Sequence, residues 1–352
     1  MAHLIYSNIR ISGISVCVPK KIDRIADHDD IFTEEELSQF VKQVGVAERR
    51  FADGNTCTSD LCCHAAERLL ESMDVNRDEI DLVVFVTQTP DYAIPATSCI
   101  IQDRLKLPKA TAAFDVNLGC SGYVYGLSIV YSFLHQQSFR KALLVVGDTP
   151  SKTVNFYDKS SCLLFGDGGS ATIVEKSADA KETYFSLHSD GSGYQVIIVY
   201  GGASRNPLSE ESLIKTTYPD GNIRRPVDLT MSGPDVFNFT IREVPKSILN
   251  LLEFAETPLN EVDYLIYHQA NRYINDFLAK KLKYPKEKVP YSLNKFGNTS
   301  SASIPLTMVT EIKDELMSRT HKIILSGFGV GLSWANALLD LENCHIPELL
   351  EI

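Results

Sequence analysis

The stretch Glu79-Ile-Asp-Leu-Val-Val-Phe-Val86 recurs with conservative changes as Glu261-Val-Asp-Tyr-Leu-Ile-Tyr-His268. In each copy an acidic turn leads into a short apolar run, which is typical of a buried strand in an α/β sheet, and a helical pattern follows. Two copies of one such unit predict an α/β protein made by duplication. We expect the copies to pack about a pseudo-twofold axis.

The correspondence between the two halves continues beyond these strands. Three further pairs of segments match, namely 114–120 with 291–298, 141–147 with 322–327, and 168–175 with 331–339. Both members of the first pair, Phe114–Cys120 and Tyr291–Asn298, are interpreted as a strand and a glycine-containing turn, followed by small residues that open a helix. We therefore predict an N-terminal half of residues 1–178 and a C-terminal half of residues 179–352.

The C-terminal half contains a long polar insertion near residues 201–231. It holds Arg205-Asn-Pro, Tyr218-Pro-Asp-Gly and Arg224-Arg-Pro, which are turn and loop signals. Loops of this length are uncommon in compact domains, so the segment is interpreted as a functional cover or a partner surface. A mobile excursion without a role is the alternative.

Composition and charge restrict the class of protein. Of 352 residues, 44% are hydrophobic, which is enough for one large core or two fused ones. No apolar run approaches the roughly 20 residues of a membrane helix, and the first residues lack the pattern of a signal peptide, so we expect a cytoplasmic protein. A net charge of −11 disfavours nucleic acid as a partner.

The eight cysteines are expected to be reduced thiols in a cytoplasmic chain. Cys62-Cys63-His64 falls in a predicted helix, Ser59 to Ser72, where adjacent residues point to different faces. Small buried side chains are therefore favoured there over a metal site.

Cys120 is the candidate nucleophile. It follows a predicted buried strand, Ala112–Val116, and precedes a predicted helix, Ser121–Leu134. A thiol at a helix N-terminus faces free N–H groups and the positive end of the helix dipole, which favours the reactive thiolate. The alternative is a buried structural cysteine.

His268 and Asn298 are candidate partners of this thiol. His268 ends a predicted strand, and ligand sites in α/β sheets lie at the carboxyl ends of strands. Taken alone, His268 is better interpreted as a hydrogen-bonded core histidine. Asn298 alone could be a helix cap or part of a glycosylation sequon, which a cytoplasmic chain cannot use. Together, a thiol, an imidazole and an amide donor in one cleft have the logic of acyl transfer.

At these residues the chain resembles the β-ketoacyl-acyl carrier protein synthase III family of the thiolase superfamily, along essentially its whole length. The supporting segments are Phe114-Asp-Val-Asn-Leu-Gly-Cys-Ser-Gly, Leu164-Phe-Gly-Asp-Gly-Gly-Ser-Ala, His268-Gln-Ala-Asn, Gly297-Asn-Thr-Ser-Ser-Ala-Ser-Ile-Pro and Gly327-Phe-Gly-Val-Gly-Leu-Ser-Trp. The resemblance implies a thiolase-like fold, layered α/β/α/β/α, and a homodimer.

The resemblance also implies a mechanism. Cys120 takes an acyl primer, the backbone N–H groups of Cys120 and Val330 form the oxyanion hole, and His268 and Asn298 assist decarboxylation of malonyl-acyl carrier protein. The product is β-ketoacyl-acyl carrier protein, for fatty-acid initiation or a specialised acyl pathway. No metal or redox cofactor is expected.

Further residues take their expected roles from the same resemblance. Ile94, Lys159 and Phe328 are expected to contact substrate, Ile94 from across the dimer interface. Arg272, Lys280 and Lys281 are expected to dock the acidic carrier protein, which such a negatively charged chain could receive only on a local basic patch.

The chain differs from the family at positions where relatives often bind coenzyme A. Gln39 and Gln43 replace a tryptophan and an arginine, and Lys159 replaces an arginine. The primer is therefore expected on a carrier protein, or on coenzyme A held differently. These differences and the insertion argue against an acetyl primer.

The sequence gives less support to the alternative functions. A hydroxymethylglutaryl-type synthase needs a glutamate after strand Leu82–Val86, where only Asp91 is found, and acyltransferases that esterify an acceptor tend to replace Asn298 with an acid. A dinucleotide-binding oxidoreductase is disfavoured because Gly327-Phe-Gly-Val-Gly lacks the required glycine spacing. Inactive scaffold subunits usually lose the nucleophilic cysteine.

Overall fold

The computed structural model describes residues 2–219 and 221–352, so Met1 and Asp220 lie outside the described residues, the latter within the predicted 201–231 insertion. The strands, in chain order, are β1 (Ala2–Tyr6), β2 (Ile9–Val18), β3 (Ile22–Arg24), β4 (Glu48–Arg50), β5 (Leu82–Val86), β6 (Ala112–Val116), β7 (Lys141–Asp148), β8 (Gly168–Lys176), β9 (Thr183–Ser189), β10 (Ile197–Val199), β11 (Thr216–Thr217), β12 (Ile223–Arg224), β13 (Leu229–Met231), β14 (Tyr264–Tyr267), β15 (His321–Gly329), β16 (Ser333–Leu341) and β17 (Leu350–Glu351). The α-helices are α1 (Glu34–Val44), α2 (Thr58–Ser72), α3 (Thr97–Arg104), α4 (Gly122–Leu134), α5 (Gly233–Phe254), α6 (Arg272–Leu282), α7 (Leu293–Phe296), α8 (Ser303–Glu311) and α9 (Lys313–Ser318).

Two large sheets carry the duplication. The first has the strand order β17-β2-β8-β7-β5-β6 and the second has the order β1-β9-β16-β15-β14. The run β2-β8-β7-β5 therefore corresponds to β9-β16-β15-β14. In each sheet the last two strands of that run are parallel and the others are antiparallel, so the predicted repeat is confirmed in its strand order and direction.

Five layers form because each sheet is apolar on both faces. Along β5, Leu82, Val84 and Val86 pack with α4 and α8 between the sheets, whereas Val83 and Phe85 pack on α2 and α3 outside. The outer face of the second sheet is covered by α5 and α6. Helix α4 is apolar on nearly every side, as a helix enclosed by two sheets must be. The α/β/α/β/α fold is thus confirmed.

One part of the predicted repeat is wrong. Residues 291–298 do not form a strand equivalent to β6, because Leu293–Phe296 turn into the short helix α7. So short a segment has no periodicity that distinguishes strand from helix. As a result, among the residues that the structure describes, none forms a counterpart of β6 in the second sheet.

The ends of the chain are exchanged between the sheets. β1 pairs with β9 in the second sheet, and β17 pairs with β2 in the first. The predicted boundary at 178/179 falls between β8 and β9 and stays a prediction. Each terminal strand joins the sheet of the other half.

The polar insertion is partly ordered by its own pairing. β10 pairs with β13 antiparallel, and β11 pairs with β12. Arg224 is buried against Asp158 of the first half, with Nε 2.5 Å from Oδ2. None of the helices in the described part of the chain is both long and apolar enough to cross a membrane.

Candidate active site

A cavity of about 490 Å³ lies where the carboxyl ends of strands from both sheets meet. Cys120, His268 and Asn298 all line it, so the structure brings the three predicted residues together. Cys120 follows β6 and precedes α4, His268 follows β14, and Asn298 follows α7.

Glycines on β15 allow its backbone to pass directly against Cys120. A Cβ atom at Gly329 would lie 2.7 Å from both Cβ and Sγ of Cys120. A Cβ atom at Gly327 would lie 2.8 Å from Cα of Ser121. This approach places the N–H of Val330, the next residue after Gly329, within hydrogen-bonding reach of the Cys120 sulfur.

Burial raises the pKa of the Cys120 thiol to about 11. The N–H groups of Val330 and of Cys120 itself and the hydroxyl of Ser300 oppose the rise without offsetting it. Our expectation that the helix N-terminus would favour the thiolate is therefore wrong, because desolvation of a charge outweighs the nearby dipoles. Both predicted oxyanion N–H groups nevertheless lie close to the sulfur, beside which the oxygen of a bound acyl group would lie.

His268 is neutral and oriented. The imidazole is buried, which lowers its pKa to about 3, and a backbone contact with Ser300 opposes this only in part. Its Nδ1 lies 2.7 Å from Oγ of Ser303, and that Oγ accepts the N–H of Gln269 at 3.3 Å. The Ser303 hydroxyl proton is then free to point at Nδ1, which leaves the proton of the neutral ring on Nε2.

The acceptor oxygen of the Asn298 side chain is hydrogen-bonded within the protein. Its Oδ1 accepts the N–H of Ser300 at 2.9 Å, so the amide NH₂ group is left as the donor. Its backbone N–H donates to Leu164 and its carbonyl accepts from Gly166, which ties it to the first half of the chain. The turn before it needs glycine, because Gly297 has φ +64° and a Cβ there would lie 2.8 Å from the Leu164 carbonyl oxygen.

Asp148 is a site residue that the sequence analysis missed. It ends β7, lines the cavity and is buried. Its Oδ1 accepts the N–H of Gln88 at 2.7 Å, and its Oδ2 accepts the hydroxyl of Ser301 at 2.6 Å. Burial raises its pKa, and these donors oppose the rise. A carboxyl directly after the apolar run of β7 was the available signal.

The remaining predicted residues are distributed differently. Phe328 and Val330 line the cavity, and the Phe328 ring meets His268 edge-on with centroids 5.7 Å apart. Ile94, 87% exposed, lies outside the cavity lining of its own chain. Lys159 also lies outside it, with Nζ 3.2 Å from Oε1 of Glu36 and 4.8 Å from the centre of the Phe32 ring.

The predicted docking residues lie on α6, outside the cavity lining. Arg272, Lys280 and Lys281 are exposed on this helix, and its N-cap Asn271 lines the cavity. Lys281 donates to the Ile241 carbonyl at 2.6 Å.

The two ends of the polar insertion cover the cavity. Gly201, Gly202 and Ala203 at one end, and Leu229 and Met231 at the other, contribute to its lining. The structure therefore favours the reading of this segment as a cover over that of an excursion without a role.

The His268 tautomer gives a first prediction. Because its pKa is lowered to about 3, the ring should stay neutral with the proton on Nε2 throughout pH 5–8. We expect Ser303→Ala to reduce this preference and to slow the reaction about tenfold, while Ser303→Thr retains it. Ring ¹⁵N NMR, assigned by the signals lost in His268→Gln, measures it, and titration of the His268 signals near pH 6.5 would contradict the account.

Comparison with known proteins identifies the family. Residues 114–191 match the profile of 3-oxoacyl-[acyl-carrier-protein] synthase III, and residues 252–341 match that of its C-terminal part. A putative 3-oxoacyl-[acyl-carrier-protein] synthase 3 of Campylobacter jejuni is 35% identical over 98% of this chain and 97% of that relative.

Solved structures agree with this result. The crystal structure of a 3-oxoacyl-(acyl-carrier protein) synthase from Burkholderia xenovorans has a TM-score of 0.93 and 38% identity, covering 100% of this chain and 99% of that one. The priming β-ketosynthase of the R1128 polyketide pathway has a TM-score of 0.81 and 26% identity, covering 96% and 97% of the two chains. With the fold, the cavity and these matches in agreement, the chain belongs to the β-ketoacyl-acyl carrier protein synthase III family of condensing enzymes.

Proposed function

We propose that the chain joins an acyl group held on Cys120 to malonyl-acyl carrier protein by decarboxylative condensation, giving β-ketoacyl-acyl carrier protein. The observation that supports the proposal is the presence of two side-chain hydrogen-bond donors in the cavity beside Cys120. The acceptor atoms of His268 and Asn298, Nδ1 and Oδ1, are engaged by the protein, so both side chains present donors to the cavity.

In the first half-reaction the Cys120 sulfur attacks the carbonyl of an acyl thioester. The N–H groups of Cys120 and Val330 stabilise the oxyanion that forms. The carbon–sulfur bond to the carrier thiol breaks, and that thiolate takes the proton that the Cys120 thiol gives up.

In the second half-reaction malonyl-carrier loses carbon dioxide. The electron pair of the broken carbon–carbon bond moves towards the thioester oxygen, where the NH groups of His268 and Asn298 donate hydrogen bonds. The resulting carbanion attacks the acyl carbonyl on Cys120, and the sulfur leaves as a thiolate, which takes a proton from the solvent. Neither step calls for a metal or a redox cofactor, since a thioester is already activated and hydrogen bonds carry the developing charge.

The structure disfavours the main alternatives on specific grounds. Asp91, the nearest candidate base for a hydroxymethylglutaryl-type synthase, accepts the hydroxyl of Ser59 at 2.6 Å and does not line the cavity. An ester-forming acyltransferase has a use for an acid at position 298, whereas the amide of Asn298 can only support negative charge as a donor.

The carrier protein is proposed to dock along α6, whose N-cap Asn271 lines the cavity. Exposed cations on this helix and just beyond it are Arg272, Lys280, Lys281, Lys283 and Lys286. On a chain of net charge −11 such a local patch would steer an acidic partner to the mouth of the cavity. Whether the primer also arrives there on a carrier, or comes on coenzyme A in the cytoplasm, stays a prediction.

A homodimer formed at β6 is proposed from the shape of the first sheet. Within the described residues β6 has β5 as its one strand neighbour, and all of its residues are only half-buried. Ile94 and Tyr92 are 87% and 63% exposed. An unpaired apolar edge is a ready surface for a second copy, which would also bring the partner's Ile94 loop towards the cavity.

A product assay tests the proposed function. The protein is mixed with an acyl thioester and malonyl-acyl carrier protein, and the carrier is weighed by mass spectrometry while carbon dioxide is measured. The expected carrier mass is that of the joined acyl and malonyl groups less one carbon dioxide. Release of free acid, or transfer of the acyl group to an alcohol or amine without loss of carbon dioxide, would contradict it.

A further inference from the structure

Two amide side chains form the part of the cavity that lies at the ends of β5 and β6. These strands are parallel neighbours, with Val86 opposite Val116, so residues just beyond them leave the sheet side by side. Gln88 and Asn117 occupy this position and both line the cavity.

The Gln88 amide packs on the turn that leads into Cys120. A Cβ atom at Gly119 would lie 2.3 Å from Gln88 Oε1 and 3.0 Å from Val330 Cγ1. The Gln88 side chain therefore packs, like that of Val330, against Gly119, the residue that precedes the nucleophile. Its backbone is fixed there, because its N–H donates to Asp148.

These amides retain spare hydrogen-bonding capacity. Gln88 Nε2 and Asn117 Oδ1 are 3.4 Å apart, a long contact that leaves at least one N–H on each side chain and Oε1 of Gln88 for other partners. Both side chains are exposed in the single chain and can therefore be hydrated. A second copy at β6 would shield them further.

Apart from the catalytic residues and a few other polar groups, which include Thr89, Asp148, Thr153 and Asn271, much of the remaining lining is apolar. Ile197 and Ile198 of β10, Leu229 and Pro150 contribute carbon surface. A primer attached to Cys120 would therefore meet hydrocarbon along its chain and two amides close to the turn at Gly119. A plain hydrocarbon primer would displace water from the amides without replacing its hydrogen bonds, which is unfavourable.

We propose that the primer is a short acyl group bearing a hydrogen-bonding substituent, such as a hydroxyl, which Gln88 and Asn117 recognise. This inference rests on the proposed function and names its substrate class. The amides act as specificity residues, so they should affect the choice between primers more than the rate of decarboxylation.

Competition between two matched thioesters tests this proposal. Butyryl-pantetheine and 3-hydroxybutyryl-pantetheine differ by one hydroxyl and carry no protein or nucleotide that docking could favour. The rate of Cys120 acylation by each is followed by intact-protein mass spectrometry. We expect the hydroxylated primer to react at least about tenfold faster with the unaltered protein.

Variants separate recognition from general damage. Gln88→Met and Asn117→Leu should each slow transfer of the hydroxylated primer more than butyryl transfer and so bring the ratio of the two rates towards one, whereas Gln137→Met, which changes an exposed amide outside the cavity lining, should leave the ratio unchanged. A ratio is insensitive to the fraction of folded protein. Equal rates in the unaltered protein, or a preference that survives both substitutions, would overturn the inference while leaving the condensing function standing. Absence of acylation by both primers would overturn the inference together with the proposed function.

Discussion

Cys120→Ala is expected to eliminate the acyl-enzyme and to lower condensation on the order of a thousandfold or more, because no other group in the cavity can hold the primer. Release of carbon dioxide from malonyl-carrier should persist, since His268 and Asn298 keep their geometry. Intact-protein mass spectrometry measures the adduct, and isotope-labelled malonyl-carrier measures the carbon dioxide.

The control for this variant is Cys99→Ala, which removes an exposed thiol that does not line the cavity. It should leave acylation and condensation unchanged. If Cys120→Ala still accumulates one acyl group per chain, the nucleophile lies elsewhere and the proposed first step is wrong.

Asn298→Ala and His268→Ala should produce the opposite pattern. Each removes one hydrogen-bond donor to the oxygen on which charge builds during decarboxylation, and such a loss costs on the order of a hundredfold in rate. Acylation of Cys120 should be largely retained, because its oxyanion is stabilised by backbone N–H groups. Asn298→Asp should be slower than Asn298→Ala, because a carboxylate would repel the developing charge.

Exposed residues of the same types provide matched controls. His64→Ala and Asn260→Ala change side chains that lie outside the cavity lining and should retain full activity. Loss of acylation with intact carbon dioxide release in either catalytic variant would show that the roles have been assigned to the wrong half-reaction.

The fold was largely predictable because it is repeated and locally patterned. The helix expected from Ser59 to Ser72 begins one residue earlier, and strands Leu82–Val86 and Ala112–Val116 have the expected bounds. Apolar runs between turn signals were sufficient for these elements. The segment 291–298 was misread because its short apolar run fits either a strand or a helix.

Burial was less predictable than secondary structure. The strand Ala112–Val116 was expected to be buried, but its residues are only half-buried at the edge of the sheet. The pKa of Cys120 was also mispredicted. The local pattern shows a thiol beside a helix, while the burial that raises its pKa depends on segments distant in the chain that pack around it, among them Gly329 of β15.

The sequence analysis also did not identify the side chains that hold the catalytic residues and their neighbouring loops in position. Ser303 was noted only as a small residue in a motif, yet it contacts Nδ1 of His268. Asp148 was not singled out at all, yet it links the loop after β5 to Ser301. Such roles depend on contacts between segments that come together only in the folded chain.

A pulse–chase experiment tests the central claim most directly. The protein is incubated with an acyl thioester and then separated from excess substrate. One portion is digested and mapped by mass spectrometry, and the other portion is chased with malonyl-acyl carrier protein. The account predicts one acyl group on the peptide that contains Cys120. The chase should remove it, release one carbon dioxide for each adduct lost, and yield the β-ketoacyl-carrier. An adduct on another cysteine, or one on Cys120 that the chase leaves in place, would contradict the account.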